Sequence, residues 1–326
     1  MSTPYVALLI VTFALHALLI SFVLAGTAYV AIRGLRGGED PLAAASRDWL
    51  PFALGAAITA GVAPLLFVQV LYQPRFYTAN LLLFVRWLAI VPALIVGFYA
   101  LYLGKSARAA AWSARGRAAV ATLALACFVF VAWSWIEDHA LAMQRDPATW
   151  AAHYGRGALR HRDPTIAPRL AMWLGVAAAV WPLGMLYAAP GVASRRLAAI
   201  ALGGLAIAAL AAALAAGATD ARSLLDVAAA RGWLYGLAAA AVALLLAWGA
   251  VALGRAPARG AIAAATVALA LTLAGAREAM RAAAIDPRLA TRVEHAQGLP
   301  LFVAALALGG AAIGWCLVIA RRATRA

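Results

Sequence analysis

Three polar side chains stand inside otherwise apolar stretches of the 326-residue chain: His16, Gln69 and Arg86. A charge at the centre of a bilayer costs roughly 2.5 to 3.5 kcal/mol on insertion scales, so groups of this kind either pair or work. His16 lies about eleven residues into the first apolar run, which at ~1.5 Å per residue places it ~16 Å deep, near the midplane. Two readings are open for it: a neutral imidazole bonded to a neighbouring helix, or an axial haem ligand. Gln69 is near the end of the second run and Arg86 about five residues into the third, so a turn Gln73-Pro74-Arg75-Phe76-Tyr77 would bring their polar ends to the same side. Arg86 either snorkels outward or meets an anion: a haem propionate, a lipid phosphate or a loop carboxylate. Pro64 and Pro92 each remove one backbone hydrogen bond from these runs and free the carbonyls of Ala60 and Leu88.

A second constellation closes the eighth run, Ala276-Arg277-Glu278-Ala279-Met280-Arg281. Arg277 and Arg281 are one helical turn apart, and Glu278 is a surface neighbour of Arg281. A carboxylate held beside two guanidiniums at a membrane surface can accept the proton released when a quinol is oxidised, while an Arg donates to the quinone oxygen. The alternative is an ordinary solvated helix end with its own ion pairs. His139, His153, His161 and His295 form no HExxH or similar metal spacing. There is no glycine-rich phosphate loop, no GxSxG elbow, and no Asp or Glu well inside an apolar run. The two cysteines, Cys127 and Cys316, form neither a CxxC nor a CxxCH motif.

The elements that carry these residues follow from composition. Hydrophobic residues make up 66% of the chain, charged residues 12%, and mean hydropathy is +0.89. A soluble domain carries about 25% charged residues, so a soluble catalytic domain, a disordered chain and a secreted disulfide scaffold are excluded. Apolar runs cover about 5 to 32, 50 to 71, 81 to 103, 117 to 136, 169 to 189, 197 to 217, 232 to 253, 260 to 276 and 300 to 320. Most reach the ~20 residues that span a ~30 Å core, and a β-barrel would need alternation instead. The chain therefore reads as one all-α polytopic membrane domain, 1 to 326, of nine spans. The first run lacks a basic leader and is too long for a signal core, so it reads as a retained span.

Net charge is +15, which in a soluble protein would point to nucleic acid. Here its distribution is topological, and the expected partner is the lipid bilayer. Fourteen basic residues fall on one side, Arg33, Arg36, Arg47, Lys105, Arg108, Arg115, Arg117, Arg195, Arg196, Arg255, Arg259, Arg321, Arg322 and Arg325, with only Glu39, Asp40 and Asp48 as acids, net +11. The other side carries twelve basic and nine acidic residues, net +3. The positive-inside rule puts the first side in the cytoplasm, with the N-terminus out and the C-terminus in. The outer side then holds the longer loops, 137 to 168, 218 to 231 and 277 to 299. Asp146-Pro147 and Asp286-Pro287 mark starts of short interfacial helices near 147 to 154 and 287 to 296.

This layout resembles the large subunit of cytochrome bd-type quinol oxidases and uncharacterised bd-like bacterial membrane proteins. The likeness is carried by nine spans with the N-terminus out, a His in the first span (Leu15-His16-Ala17), and the Arg277, Glu278, Arg281 cluster at an outer helix end. The stretches 61 to 72 (GVAPLLFVQVLY) and 163 to 173 (DPTIAPRLAMW) are also similar to those bd-like proteins. The resemblance implies a subunit of a bacterial respiratory or electron-transfer complex in the cytoplasmic membrane, touching quinol at the outer face and associated with other membrane or outer-face redox subunits. The family's second intramembrane His and its Gly-Arg-Gln-Pro-Trp motif are missing, so it implies at most one b-type haem, with iron on His16 and Met172 or Met185 as second ligand. A non-redox accessory subunit and a small-solute transporter remain the other readings, the last favoured if His16, Gln69 and Arg86 line one aqueous cavity.

The topology is testable without knowing the activity. A reporter fused after Arg325 is expected in the cytoplasm, and a cysteine placed between Thr149 and Ala158 is expected to react with an impermeant reagent from outside. Both on the same side would mean that the count of spans is wrong by one.

Overall fold

A computed structural model describes residues 3–37, 40–144, 147–156, 163–192, 194–217 and 228–284, together with scattered positions between 300 and 315. Thr3–Thr291 form one compact unit; residues 1–2 with 292–326 form another, so the expected ninth span, 300 to 320, falls largely outside the described residues, as does the short helix expected at 287 to 296.

The described part of the larger unit is all helix: α1 Thr3–Arg36, α2 Pro41–Leu71, α3 Gln73–Leu83, α4 Val85–Leu88, α5 Ile90–Lys105, α6 Ala107–Ala110, α7 Ala114–Ala142, α8 Pro147–Arg156, α9 Ile166–Ala188, α10 Ser194–Gly217, α11 Ala228–Ala252 and α12 Arg259–Ala284. Eight spans, α4 and α5 together making one, are long and apolar enough to cross a membrane. In hydrocarbon every backbone N–H and C=O must be satisfied within its own segment, which is what a helix does. The protein is an all-α, multi-pass helix bundle. Large apolar side chains such as Phe52, Tyr99, Leu210 and Leu246 point outward from the spans, where they meet lipid.

Helix α1 is the central post, packed against α2, α7, α9 and α12. One core cluster joins α1, α2, α5 and α7 through Val23, Leu50, Leu54, Leu101 and Phe128. A second joins α9 to α12 through Trp181, Met185, Leu197, Leu244, Trp248 and Ile262. Helices α9 and α10 meet backbone to backbone: a Cβ on Gly175 would come within 2.6 Å of the Ala208 nitrogen, and one on Gly204 within 2.6 Å of the Gly175 oxygen. Only glycine permits that approach.

At the end of the bundle where α1 closes, basic helix ends are tied by one carboxylate. Asp40 caps α2, with one oxygen accepting from the backbone of Leu42 at 2.9 Å and Ala43 at 3.3 Å. Its other oxygen accepts from Tyr29 at 3.0 Å and Arg196 at 2.6 Å and pairs with Arg33 at 2.7 Å. Burial alone would raise the Asp40 carboxyl, but hydrogen bonds from Arg196, Tyr29 and the Ala43 N–H outweigh it and hold the group below its ordinary range. Three helices, α1, α2 and α10, are thereby fixed to one point.

Several span ends lie elsewhere than hydropathy places them. The stretch Gln73 to Tyr77, expected as a turn, is the start of helix α3, because Pro74 fits its first turn. The third span begins at Val85, not near 81: Phe84 takes φ 38°, a conformation that L residues rarely adopt, and breaks the chain between α3 and α4. Pro92 consequently sits in the first turn of α5, where its missing N–H breaks no bond within that helix. Helix α7 runs to Ala142 and α12 to Ala284, so the stretches expected as the first residues of outer loops, from 137 and from 277, are still helical. Charged residues continue these helices because they are paired there.

Candidate functional site

The C-terminal ends of α2, α7 and α12, with α3 and α4 laid beside them, converge on one polar assembly. Glu278 is its node, 4% exposed, which is far from the solvated helix end that was the plain alternative in the sequence. Its Oε1 accepts from the Tyr72 hydroxyl, and its Oε2 pairs with Arg281 at 3.0 Å. Arg281 is also 4% exposed; it stacks over the Tyr72 ring with 4.9 Å to the centroid and reaches His139 Nδ1 at 3.2 Å. Four side chains from α12, α7 and the residue that closes α2 therefore form one chain of contacts. Burial, and after it the Glu278 charge, push the Tyr72 phenol above its usual range, so it stays protonated and donates.

A second ion pair lies beside the first. Arg86 pairs with Glu137, and its guanidinium packs over Trp133 at 5.2 Å. The break at Phe84 puts Arg86 in the first turn of its span, at the level of the α7 end, so its partner among the expected anions is a carboxylate. Asp138, the next residue, is 3% exposed and receives the Asn80 amide at 2.7 Å when that amide is turned with its nitrogen toward it. Arg75, buried on α3, donates to the Ala142 and Gln144 carbonyls at 3.1 and 2.6 Å, closing the last turn of α7. These carbonyls have no helical partner of their own, so the guanidinium serves as a C-cap.

Between these groups is a cavity of about 20 Å³, lined by Tyr72, Phe76, Trp135, Asp138, Arg277 and Arg281 among others. Room for one water needs ~10 to 15 Å³. The cavity thus has room for about one water and none for a quinone ring.

His16 is elsewhere. Its Nδ1 is 2.9 Å from the Ala57 carbonyl, and its ring lies so close to α2 that a Cβ on Gly61 would meet it at 2.9 Å. An Nδ1–H donating to a carbonyl is the arrangement that would turn Nε2 toward a metal. The surrounding packing does not fit a haem, however: the cavity bounded by α1, α9 and α12 beside this level, lined by Ala17, Trp173 and Leu273, measures about 10 Å³, against several hundred for a cofactor pocket. Met185 accepts from Ser46 at 3.6 Å and belongs to the α9 to α12 core, while Met172 lines neither cavity. Gln69 makes no side-chain hydrogen bond among the described residues, and His16, Gln69 and Arg86 line neither of these two cavities.

The structure thus brings Glu278, Arg277, Arg281 and Arg86 to one end of the bundle and leaves His16, Gln69 and Met172 outside the assembly. Tyr72, Asn80, Glu137, Asp138 and His139 belong to it and were missed. Their signal was present in the sequence: Trp-Ile-Glu-Asp-His at 135 to 139 follows an apolar run directly, on the same side as Arg86, and opposite charges at facing span ends ask to be paired.

Comparison of the chain with protein-family models, with curated proteins and with solved structures finds no match.

The Arg86 and Glu137 pair can be tested by exchange. Glu137 is almost fully buried, and reversing one charge of such a pair costs about 3 to 5 kcal/mol. Arg86→Glu is expected to abolish monodisperse protein on size exclusion in detergent, and Arg86→Glu combined with Glu137→Arg to restore a substantial part of it. Equal loss in the single and double variants would show that the two side chains do not depend on each other.

Proposed function

We propose that this multi-pass protein is a membrane subunit of a bacterial respiratory or electron-transfer assembly, resident in the cytoplasmic membrane, which takes up protons from a quinol at its outer face. The observation that carries the reading is the buried chain Tyr72, Glu278, Arg281 and His139 beside a water-sized cavity. Burying such groups costs several kcal/mol each even when they are paired, and well-packed apolar residues would hold helices together as well or better. Ionisable groups kept inside a membrane span are a functional expense by default.

In this reading the quinol head stands at the exposed aromatic margin where Tyr77 and Trp133 face lipid, since its ring is too large for the cavity. Oxidation of one quinol releases two protons and two electrons. The protons leave through the cavity water, with Glu278 as the receiving base and Arg281 holding it in place. The electrons pass to a redox partner subunit, which the assembly must supply.

The second reading, an accessory subunit without redox chemistry, is favoured by the cavity's size: room for one water suits an ionic clamp between α2, α7 and α12 as well as a proton path.

Glu278→Gln separates the two. Gln keeps an acceptor for Tyr72 but cannot take a proton, so quinol-dependent reduction of the assembly is expected to fall at least about tenfold, within the ~10²- to 10⁴-fold worth of general base catalysis, with membrane abundance unchanged. Arg281→Ala is expected to weaken binding of a quinone analogue. Unchanged kinetics and analogue affinity in both, with a lowered unfolding midpoint, would leave the clamp and remove the quinol reading.

A further inference from the structure

Glu137, Asp138 and Glu278 lie at the C-terminal ends of α7 and α12, and they are not held alike. Glu137 pairs with Arg86, while Glu278 has Tyr72 on one oxygen and Arg281 on the other. To take a proton, either must loosen its hold on a guanidinium, a group that only donates. Asp138 is just as deeply buried, at 3% exposed, yet makes no ion pair among the described residues. Its partner is the Asn80 amide, 2.7 Å from Oδ1.

An amide can serve both forms of a carboxyl. With its nitrogen forward, Asn80 donates to a carboxylate; turned half round about its last side-chain bond, it puts its oxygen in the same place and accepts from a carboxylic acid. The Phe76 carbonyl, which the nitrogen also reaches at 3.3 Å, lies within α3, where helical bonding serves it in either case. Asp138 also lines the cavity that has room for about one water, so a proton has a carrier beside it. The titratable groups around it are engaged otherwise. His139 Nδ1, on α7, receives Arg281 at 3.2 Å, so that nitrogen is already an acceptor. The Tyr72 hydroxyl, at the close of α2, is given to Glu278, and Arg75 of α3 is bound to the Ala142 and Gln144 carbonyls. Arg277 and Arg281 of α12 line the same cavity and favour a charge on Asp138, whereas removal from water favours the acid, and no ion pair fixes one form.

We propose that Asp138, with Asn80 and a water in the cavity, is a proton-binding site. The carboxylate takes a proton from hydronium in the cavity and becomes a carboxylic acid, the water is left neutral, and release runs the same steps back. Ionisable groups within a span are costly and are kept for such work by default. One quinol gives up two protons, and under the reading above Asp138 is where the second goes while Glu278 holds the first. The proposal stands apart from that reading, since it concerns a proton bound by this chain alone and its test contains no quinol.

The test is infrared difference spectroscopy of the full chain in maltoside detergent, with the pH stepped across the range in which the protein stays monodisperse. The C=O stretch of a carboxylic acid falls clear of the amide and carboxylate bands. Subtracting Asp138→Asn from the parent is expected to leave one such band, one carboxyl per chain, that comes and goes reversibly with pH and moves in heavy water. It should persist in Glu278→Gln, and in Asn80→Leu its frequency should shift, because the acid loses the acceptor of its O–H. Asp138→Asn, a fixed stand-in for the neutral acid, should be recovered folded and in the parent's amount. A spectrum unchanged by Asp138→Asn, a band lost in Glu278→Gln in its place, an unshifted band in Asn80→Leu, or an Asp138→Asn protein that does not fold would each overturn the proposal. The expected band in a protein whose quinol kinetics ignore Glu278 would support the proton site and remove the quinol reading alone.

Discussion

A carboxylate taken out of water must find cations and donors or give up its charge, and in this protein that requirement fixes where the helices end. Glu278 meets it with Tyr72 and Arg281, contributed by the close of α2 and by α12, and through Arg281 the contact continues to His139 on α7. Hydropathy would stop α7 near residue 136 and α12 near 276, yet both continue for a turn or more because their charged residues are satisfied by one another. The cost of leaving any one of these groups alone, several kcal/mol, exceeds what helix propensity or lipid contact could offset.

The opposite end obeys the same rule with simpler means. A single carboxylate, Asp40, gathers Tyr29, Arg33 and Arg196 and caps α2, so that α1, α2 and α10 share one anchor. Between the two anchored ends the packing is apolar and close, with Gly175 and Gly204 in backbone contact and Gly61 against the His16 ring. Helices held this way at both ends have little freedom to rock apart. The cavities of about 20 and 10 Å³ agree with that.

Much of this was legible in the sequence, for reasons that can be named. Eight of the spans follow from run length, a consequence of the bilayer as solvent, and eight described segments are long and apolar enough to cross; the expected ninth lies largely outside the described residues. The Arg277, Glu278, Arg281 cluster was legible because its members share one helix at neighbouring positions. What was not legible depends on residues far apart in the chain: Tyr72 looks like the end of an apolar run until α12 is brought beside it, and Glu137 and Asp138 look like loop residues until Arg86 and Asn80 face them. The break at Phe84, which puts Arg86 at the right level, carries no glycine or proline to announce it. His16 stood out by its depth, but its Nδ1 contact with the Ala57 carbonyl and its fit against Gly61 are those of a packed core histidine. Isolation in sequence marks a costly residue; which partner offsets the cost is decided by the fold.

The central claim is that Glu278 is a buried node whose bond from Tyr72 is made inside the protein and not exchanged with water. A double-mutant cycle on unfolding free energy with Tyr72→Phe and Glu278→Gln measures that bond directly. Hydrogen bonds to charged groups contribute about 1.5 to 3 kcal/mol, and the account predicts a coupling energy in that range. Effects that simply add, to within ~0.5 kcal/mol, would contradict it.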